Sequence, residues 1–459
     1  MKKICLLLCT LILLGGCEKK EPDLSTLLDS STELTLSIWT TEYEDFFEAL
    51  GREFLSQKKV SGEVVVRSFS TSNGLEMALL NALAEGRGPD VVFIDGDWVL
   101  SNRAKILAAE PTAGFQIESL RTLWIEAAQD VFLGESYMYG IPLGADTLAL
   151  LFNQSISVDR LGEEELPLET WKDLPGLAEQ LVQKNNSFER FAIAALPMGR
   201  VDNVFHMTEV FENILFQRDF SLFTSDQRQA TLTQEGVSED GKKYRFGLDT
   251  LNFLRSFSDP SQKHFTWNAS LASNKGEKAF DTFLQGKVAM VFAYARDLHR
   301  LKERHKRLQT EEDIRLMMDS DIRTVFLPQF KKPSLQAHRR SLARVFGFVV
   351  PRTAAQPQVS WSFLRFAHQS DIARTLHQST GLLSVQYPLL LEQESDPLYG
   401  VFARQLKTAQ VVQMPIRRRL LQEGFESLFD RLEDGDAPLK ALEWLEEFLT
   451  EHLREAAGE

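Results

Sequence analysis

The chain has 459 residues, of which 43% are hydrophobic and 25% are charged, and its formal net charge is −14. This mixture is typical of a folded globular protein long enough for two domains, and it excludes a disordered or fibrous chain. The negative charge opposes contact with nucleic acid phosphates and with anionic lipid headgroups. We therefore do not expect nucleic acid binding.

The N-terminus has the features of a secretory signal peptide. Lys2 and Lys3 precede an apolar run over residues 4–14, which is too short for a membrane-spanning helix. The next residues, Gly-Gly-Cys17, complete a segment that resembles a bacterial lipobox, in which the cysteine is acylated, for example with palmitate. We expect export and a lipid anchor at Cys17. The alternative, an uncleaved membrane anchor, also leaves the body of the protein outside the cytoplasm.

The cysteines and the polar segment after the signal divide the chain further. Cys5 and Cys9 lie in the predicted signal peptide (1–16), so the mature protein keeps only the cysteine at position 17 and has no internal disulfide or cysteine-based zinc site. The run up to residue 32 has too few apolar side chains to pack. We interpret 17–32 as a lipidated, flexible tether.

Apolar periodicity predicts strands that alternate with helices. The first strands are predicted at 34–39, 64–66 and 91–94, and the first helices at 44–54 and 73–85. Three such units in succession indicate a parallel, doubly wound α/β sheet. Further strands are predicted at 147–152, 191–195, 288–292, 322–327 and 345–350, further helices at 171–184, 203–216, 359–368 and 438–453, and a polar surface insertion at 221–243.

Six short segments carry a resemblance that extends over nearly the whole chain. They are Gly88–Phe93, Tyr139–Pro142, Thr147–Asn153, Thr170–Leu174, Phe283–Met290 and Gly347–Pro351. In order and spacing they resemble the extracellular solute-binding proteins of ABC importers, of the type that binds maltose and other sugars. The resemblance implies an α/β, two-lobed periplasmic-binding-protein-like fold (type II). In that fold each lobe is a mainly parallel sheet flanked by helices, and the ligand lies in the cleft between the lobes.

The resemblance also implies how the chain is divided and what the protein does. We expect an N-terminal lobe of residues 33–145 and 343–388 and a C-terminal lobe of residues 146–342 and 389–459. The implied function is capture of a carbohydrate or a related polar solute, without a cofactor or metal. The implied partners are the transmembrane permease subunits of an ABC transporter, and the implied state is a monomer.

Ligands of open parallel sheets bind beyond the carboxyl ends of the strands, where loops lead into helices. The corresponding loops are 40–42, 70–73, 95–98, 197–201 and 293–297. The candidate ligand-binding residues in and near these loops are Trp39, Thr40, Glu42, Asn73, Asp97, Trp98, Asp146, Tyr294 and Arg296.

Sugar recognition needs carboxylates that accept hydrogen bonds from hydroxyl groups and an aromatic face for the apolar side of the ring. The resemblance implies that Asp97 and Asp146 are such carboxylates, although either is also compatible with a helix-capping or turn residue. Trp39, Trp98 and Tyr294 are candidates for the stacking surface. The alternative for each of them is a place in the core, which is more usual for an aromatic residue at a strand end.

Arginines near the predicted cleft leave the charge of the ligand open. Arg296 lies where many sugar binders have a stacking tryptophan, and a guanidinium can bind a carboxylate or phosphate, so an acidic sugar is compatible with the sequence. Alternatively, Arg296 pairs with Asp297 in the first turn of a helix. In the run Arg417–Arg419, one side chain is a ligand candidate, or the run covers an acidic face.

Motifs of common enzyme classes are missing from the sequence, including His-Glu-x-x-His, Gly-x-Ser-x-Gly and the dinucleotide-binding glycine pattern. Gly236–Lys242 imitates most of a phosphate loop, but Lys243 replaces the hydroxyl residue that would bind magnesium. We therefore predict a binding protein and not an enzyme. A ligand-sensing lipoprotein that acts with a membrane kinase and, with less support, a secreted glycosidase remain the alternatives.

Overall fold

The computed structural model describes residues 33–110, 115–185, 191–201, 204–237, 241, 243–268, 271, 278–308, 316–317, 319–333 and 339–457. The predicted signal peptide, the tether and Cys17 lie outside the described residues. The same holds for part of the segment that imitates a phosphate loop, at 238–240 and 242. The expectations for these segments stay predictions.

Strands and helices alternate along the described chain as the periodicity predicts. The strands are β1 (Leu34–Thr40), β2 (Gly62–Ser68), β3 (Val91–Asp95), β4 (Ile141–Thr147), β5 (Ala149–Asn153), β6 (Gln183–Lys184), β7 (Phe191–Ile193), β8 (Glu235–Val237), β9 (Lys243–Arg245), β10 (Met290–Ala293), β11 (Ile322–Val325) and β12 (Ala343–Val349). The helices are α1 (Glu44–Lys58), α2 (Ser72–Ala84), α3 (Gly96–Asn102), α4 (Ile117–Leu123), α5 (Glu126–Phe132), α6 (Gln154–Leu161), α7 (Leu174–Leu181), α8 (Met207–Gln217), α9 (Phe246–Ser256), α10 (Lys278–Leu284), α11 (Ala295–Leu308), α12 (Pro357–Ala367), α13 (Ser370–Thr380), α14 (Tyr387–Gln393), α15 (Gly400–Leu406), α16 (Arg418–Glu433) and α17 (Pro438–Ala457).

The first lobe, called lobe 1, is built on a five-stranded sheet in the order β2-β1-β3-β12-β4. β1 pairs in parallel with β2 and β3, whereas β12 is antiparallel to both β3 and β4. The predicted parallel sheet is therefore confirmed for its first three strands. Every residue of β4 is buried, as expected for a strand that is covered on both faces.

The second lobe, called lobe 2, contains a three-stranded sheet in the order β10-β5-β11. β5 is antiparallel to both neighbours, so the expectation of a mainly parallel sheet is not met by these strands. β5 continues directly from the lobe 1 strand β4 and is the central strand of this sheet. The predicted polar insertion at 221–243 contains one strand of the antiparallel hairpin β8–β9.

One group of hydrogen bonds joins the segments of the chain that connect the two lobes. The segment predicted as one strand, 147–152, is divided at Leu148 into β4 in lobe 1 and β5 in lobe 2. Thr147 Oγ1 donates a hydrogen bond to the carbonyl of Leu342, 3.0 Å away. Leu342 lies in the segment that returns to lobe 1, directly before β12. The amide of Gln405, at the end of α15, donates to Thr147 Oγ1 (2.9 Å) and to the Leu148 carbonyl (2.7 Å).

The last passage into lobe 2 follows α15, because this helix packs against β4 of lobe 1. Phe402 and Leu406 belong to the same hydrophobic cluster as the lobe 1 strands. The passage is therefore later in the chain than the expected boundary after residue 388. No helix in the described ranges is both long enough and apolar enough to cross a membrane.

Candidate functional site at the interlobe cleft

Charged side chains connect the strand ends of lobe 1 with the helices of lobe 2. Glu42 follows β1, Asp97 follows β3, and Arg344 lies at the start of β12. Because β12 is antiparallel to β3, these residues share one edge of the sheet. Side chains from α11 and α16 of lobe 2 reach this edge. The contact region is called the interlobe cleft below.

Arg418, the first residue of α16, contacts both lobes at once. Its Nε donates to Asp97 Oδ2 of lobe 1 at 2.8 Å, and its Nη1 donates to Glu212 Oε2 of lobe 2 at 2.5 Å. The arginine and Glu212 side chains are 15% and 2% exposed. Burial disfavours the charged guanidinium, but the adjacent carboxylates outweigh this effect and raise the pKa of Arg418. Of the three adjacent arginines, this one is therefore a buried bridge between the lobes.

A second ion pair lies beside the first. Arg344 Nη2 donates to Asp95 Oδ2 at 2.5 Å, and the backbone N–H of Asp97 donates to Asp95 Oδ1 at 2.8 Å. Burial acts against ionisation of Asp95, but the charges of Arg344 and Arg418 outweigh it and lower the pKa of this carboxyl. Asp95 is therefore an ionised residue that caps α3, the helix that carries Asp97.

Two carboxylates of α8 lie on the lobe 2 side of the cleft. Glu209 and Glu212 are 6% and 3% exposed and one turn apart, so they share a helix face. Gln422 Nε2 donates to Glu209 Oε1 at 3.2 Å. Glu212 Oε1 is buried without a hydrogen-bond donor among the described residues. This oxygen is an unsatisfied acceptor inside the cleft.

The two carboxyl groups differ in pKa because their surroundings differ. Burial raises the pKa of Glu212 to about 7, and the charge of Glu209 adds to this shift, while Arg418 opposes it. For Glu209, burial acts in the same direction, but the charges of His206, Arg344 and Arg418 outweigh it and lower the pKa. The pair therefore holds one ionised carboxylate next to one that titrates near neutral pH.

We expect the Glu212 carboxyl to make stability depend on pH. Its folded-state pKa lies above the unfolded value, so the folded protein keeps a proton that the unfolded chain releases, and stability falls as the pH rises from about 4.5 to about 7. At about 1.4 kcal/mol per pKa unit, this amounts to roughly 3 kcal/mol. Urea unfolding of wild type and Glu212→Gln between pH 4.5 and 8 measures it. The variant should lose the Glu212 part of the slope and keep the part due to the Asp146 carboxyl, whose pKa is also raised to about 7. Glu118→Gln should retain both parts, and parallel curves for wild type and Glu212→Gln would contradict the assignment.

His206, Asp297 and Tyr294 form a compact group at the start of α8. His206 Nε2 lies 2.8 Å from Asp297 Oδ2, which also accepts the backbone N–H of Tyr294 at 2.9 Å. The Tyr294 ring meets the His206 ring edge-on, with centroids 4.8 Å apart. Burial opposes ionisation of Asp297, but the charge and hydrogen bond of His206 and the charge of Arg296 outweigh it and lower the pKa to about 2.

Asp146 caps a helix of the other lobe. It is fully buried, and its Oδ1 accepts backbone N–H groups from Ala295 (2.7 Å) and Thr147 (2.9 Å). Its Oδ2 accepts the N–H of Arg296 at 3.1 Å. Burial raises the pKa of Asp146 to about 7, against the opposing effect of Arg296 and these N–H groups. The structure thus gives Asp146 the capping role that was the alternative to ligand contact.

The Arg296 guanidinium group lies close to two carboxylates of lobe 1. Its Nη1 lies 3.7 Å from Glu42 Oε2, and its Nε lies 4.0 Å from Asp146 Oδ2. Arg300, one turn later in α11, donates to Glu42 Oε1 at 2.7 Å. The alternative pairing with Asp297 is not observed, because that carboxylate contacts His206 and Arg300. The arginine therefore gives no support to an anionic ligand.

The aromatic candidates differ in exposure. Trp98 is 7% exposed within the hydrophobic core, and Tyr294 is 3% exposed. The expectation of stacking surfaces is not met for these two, because neighbouring side chains cover their rings. Trp39 is half-buried, with its ring centroid 5.2 Å from that of Phe69 and the Arg67 guanidinium 4.9 Å above it. Of the three, Trp39 alone keeps a partly exposed ring.

The remaining polar candidates lie at the same edge of lobe 1. Thr40 is fully buried, and its Oγ1 donates to the carbonyl of Glu42 at 2.5 Å, which fixes the turn after β1. Asn73 Oδ1 accepts a hydrogen bond from Arg417 Nη1 of lobe 2 at 3.4 Å. Arg417 Nε also lies 3.5 Å from Glu76 Oε2. Thr40 is therefore a structural residue here, whereas Asn73 contacts the opposite lobe.

Sequence reasoning missed several charged or titratable residues of the cleft, among them His206, Glu209, Glu212, Arg300 and Arg344. A signal for two of them is present, since Glu209 and Glu212 stand three residues apart in α8, whose other residues are mainly apolar and buried. A carboxylate on such a helix needs a partner. No group of three or more His, Cys, Asp or Glu side chains in the described part of the chain is arranged to hold a metal ion.

A family model described as bacterial extracellular solute-binding protein matches residues 49–395. The chain belongs to this family. Membership places the protein outside the cytoplasm. A maltotriose-binding protein from Pyrococcus abyssi (strain GE5 / Orsay) is 26% identical over 148 residues, which are 32% of this chain and 30% of that protein. The aligned part thus spans less than a third of the relative's length.

Solved structures of sugar-binding proteins have the same fold. The sugar-binding protein MalE from Xanthomonas citri superposes with a TM-score of 0.71 at 16% identity, over 93% of this chain and 98% of that one. An ABC transporter solute-binding protein from Thermotoga lettingae TMO, bound with alpha-D-tagatose, gives a TM-score of 0.67 at 18% identity, over 92% and 100%. The α/β, two-lobed fold predicted from the sequence is thereby confirmed.

Proposed function

We propose that this protein is the substrate-binding component of an ABC transporter that captures a carbohydrate or a related polar solute in the interlobe cleft. The observation that carries the proposal is the meeting of carboxylates from both lobes, Asp97 from one side and Glu209 and Glu212 from the other. Carboxylates accept hydrogen bonds from hydroxyl groups, and such contacts on both sides hold a polyhydroxylated ligand. Family membership and the sugar-binding proteins of the same fold support this function.

Closure of the two lobes is the proposed mechanism. A ligand that contacts both sides of the cleft binds the closed form better than the open form, so it shifts the hinge equilibrium toward closure. The connections that bend lie near Leu148, Leu342 and Gln405. The closed protein then presents the ligand to the permease subunits. No covalent step is needed.

The binding function is tested by titrating the purified protein with neutral oligosaccharides, including maltotriose, and following both thermal unfolding and the appearance of products. We expect stabilisation without hydrolysis. Asp97→Asn should weaken binding by about tenfold or more, because it alters a cleft acceptor. Glu118→Gln, an exposed carboxylate of α4, is the matched control and should bind as wild type. Hydrolysis products, or equal binding by Asp97→Asn, would contradict the proposal.

We further propose that an acyl group on Cys17 retains the protein at the membrane near its permease. Acylation through one chain alone gives weak anchoring, so stable retention requires more than one chain. Cys17→Ala is expected to move the protein from the membrane fraction to the soluble fraction of cells that express it. Metabolic labelling with palmitate should mark wild type only. Labelling of the variant, or its retention in the membrane fraction, would contradict the lipid anchor.

A further inference from the structure

We propose that the ligand carries a protonated amine, which binds at Glu212 Oε1 on α8, beside Glu209 and next to the Arg418 bridge. The inference rests on the proposed function and deepens it, because it names an amine-bearing sugar as the ligand class. It depends on the balance of charge in the cleft, on one unsatisfied acceptor and on the existing partners of the arginines.

The charges in the centre of the cleft do not balance. The ion-pair cluster consists of the carboxylates of Asp95, Asp97, Glu209 and Glu212 and the guanidinium groups of Arg344 and Arg418. His206 and Asp297 lie next to the cluster and contact one another. Carboxyl groups therefore outnumber guanidinium groups by four to two, and by three to two while Glu212 holds its proton. A positively charged group from the ligand would complete the cluster, whereas an anion would be repelled.

The hydrogen bonding of Glu212 independently supports a cationic group on the ligand. Its side chain is 2% exposed, and Oε2 binds Arg418 while Oε1 has no donor among the described residues. A buried acceptor without a donor is costly, and a carboxylate gains most from a charged donor. A ligand ammonium supplies both the hydrogen and the charge. The unsatisfied oxygen therefore marks the place where the ligand amine binds.

The arginines at the rim of the cleft already contact carboxylates of lobe 1. Arg296 and Arg300 both contact Glu42, and Arg417 contacts Glu76. An acidic sugar would have to displace a carboxylate from each arginine that it used. A protonated amine at Glu212 Oε1 displaces no partner among the described side chains and competes only with the proton that this carboxyl holds. Two buried guanidinium nitrogen atoms, Arg296 Nε and Arg344 Nε, also have no hydrogen-bond partner in the described part of the chain, but another nitrogen atom of each group already contacts a carboxylate. We therefore expect the cleft to prefer a cation to an anion.

Ligand binding should also change the protonation of the cleft. Burial raises the pKa of Glu212 to about 7, so the free protein holds a proton there for much of the time at neutral pH and below. An ammonium beside this carboxylate favours its ionised form and displaces the proton. Binding of an amine-bearing ligand should therefore release a proton, and binding of a neutral sugar should not. This release is a readout that a purely steric preference would not produce.

Calorimetric titration with matched tetrasaccharides tests the inference. The ligands are the tetramer of glucosamine, the tetramer of N-acetylglucosamine and maltotetraose, with spermidine as an amine that is not a sugar. At about pH 6 and low salt, the glucosamine tetramer should bind about tenfold or more tightly than either neutral tetramer. Its affinity should fall as salt is added, because the added contact is ionic. Titration in buffers of different ionisation enthalpy should show proton release for this ligand.

Variants separate the charge effect from loss of the fold. Glu212→Gln should remove both the preference for the amine and the proton release, so that the glucosamine tetramer and the neutral tetramers bind this variant with similar affinity. Glu209→Gln is a second variant that should weaken the preference, and Glu118→Gln should leave it unchanged. Thermal unfolding of each variant confirms that it is folded.

The outcomes distinguish this inference from the proposed function. Equal or tighter binding of the neutral tetramers would overturn the inference and leave the sugar-binding function intact. Binding of spermidine but of no saccharide would support the amine site and contradict the carbohydrate function. Binding of none of these ligands would overturn the amine inference, and if the neutral sugars tested above also fail, it would overturn the function as well.

Discussion

Replacing Arg418 with alanine is expected to lower the free energy of unfolding by about 3–5 kcal/mol. Loss of one partner from a buried ion pair leaves the other charge without compensation, and this arginine serves two carboxylates, Asp97 and Glu212. The variant should also open the cleft, because the contact joins the two lobes. Urea unfolding measures the stability, and the radius of gyration from small-angle scattering measures the opening.

The adjacent Arg419 provides the matched control. It pairs with Glu423 four residues later, and the two side chains are 52% and 47% exposed. An exposed pair of this kind contributes little, so Arg419→Ala should change stability by less than about 1 kcal/mol. Similar losses for the two variants would show that the buried bridge is not a principal contact between the lobes.

Asp146→Ala is expected to lower the free energy of unfolding by about 2–4 kcal/mol. The substitution leaves the backbone N–H groups of Ala295 and Arg296 buried without an acceptor and removes the negative charge at the start of α11. Hydrogen exchange should accelerate in the first turn of α11 more than elsewhere. Because Asp146 is fully buried, any loss of ligand affinity should follow from displacement of this helix.

Asp146→Asn separates the hydrogen bonds from the charge. The amide oxygen still accepts an N–H group, so this variant should lose less stability than the alanine variant. Asp45→Ala is the control for charge near a helix start, since Asp45 is exposed in the first turn of α1 and should contribute less than about 1 kcal/mol. Equal, small losses of stability for Asp146→Ala, Asp146→Asn and Asp45→Ala would contradict the role of Asp146 as the cap of α11.

The strands and helices of lobe 1 are predictable from sequence because their signals are local. The strand predicted at 34–39 and the helix predicted at 73–85 match β1 and α2 to within a residue or two. The division of 147–152 at Leu148 is not predictable in this way. Both halves are apolar and fully buried, so the periodicity is the same on either side of the passage between the lobes.

The cleft is less predictable because its contacts are not local. Asp97 is identified by its place after a buried strand, but its partner Arg418 is 321 residues away in sequence. Within the run Arg417–Arg419, the side chains reach Glu76, Asp97 and Glu423 respectively, and composition alone does not distinguish them. The two roles considered for Asp146 also need the same residue type, and only the position of α11 separates them.

The Gln405 side chain has a consequence for how the protein moves. Its amide donates to Thr147 and Leu148 of one passage, while its Oε1 accepts the N–H of Leu327 in lobe 2. Thr147 in turn contacts Leu342 of another passage. With the connections tied at one point, they bend together and the motion has a single degree of freedom. Fluorescent labels at different sites on the outer surfaces should then report one common rate of opening.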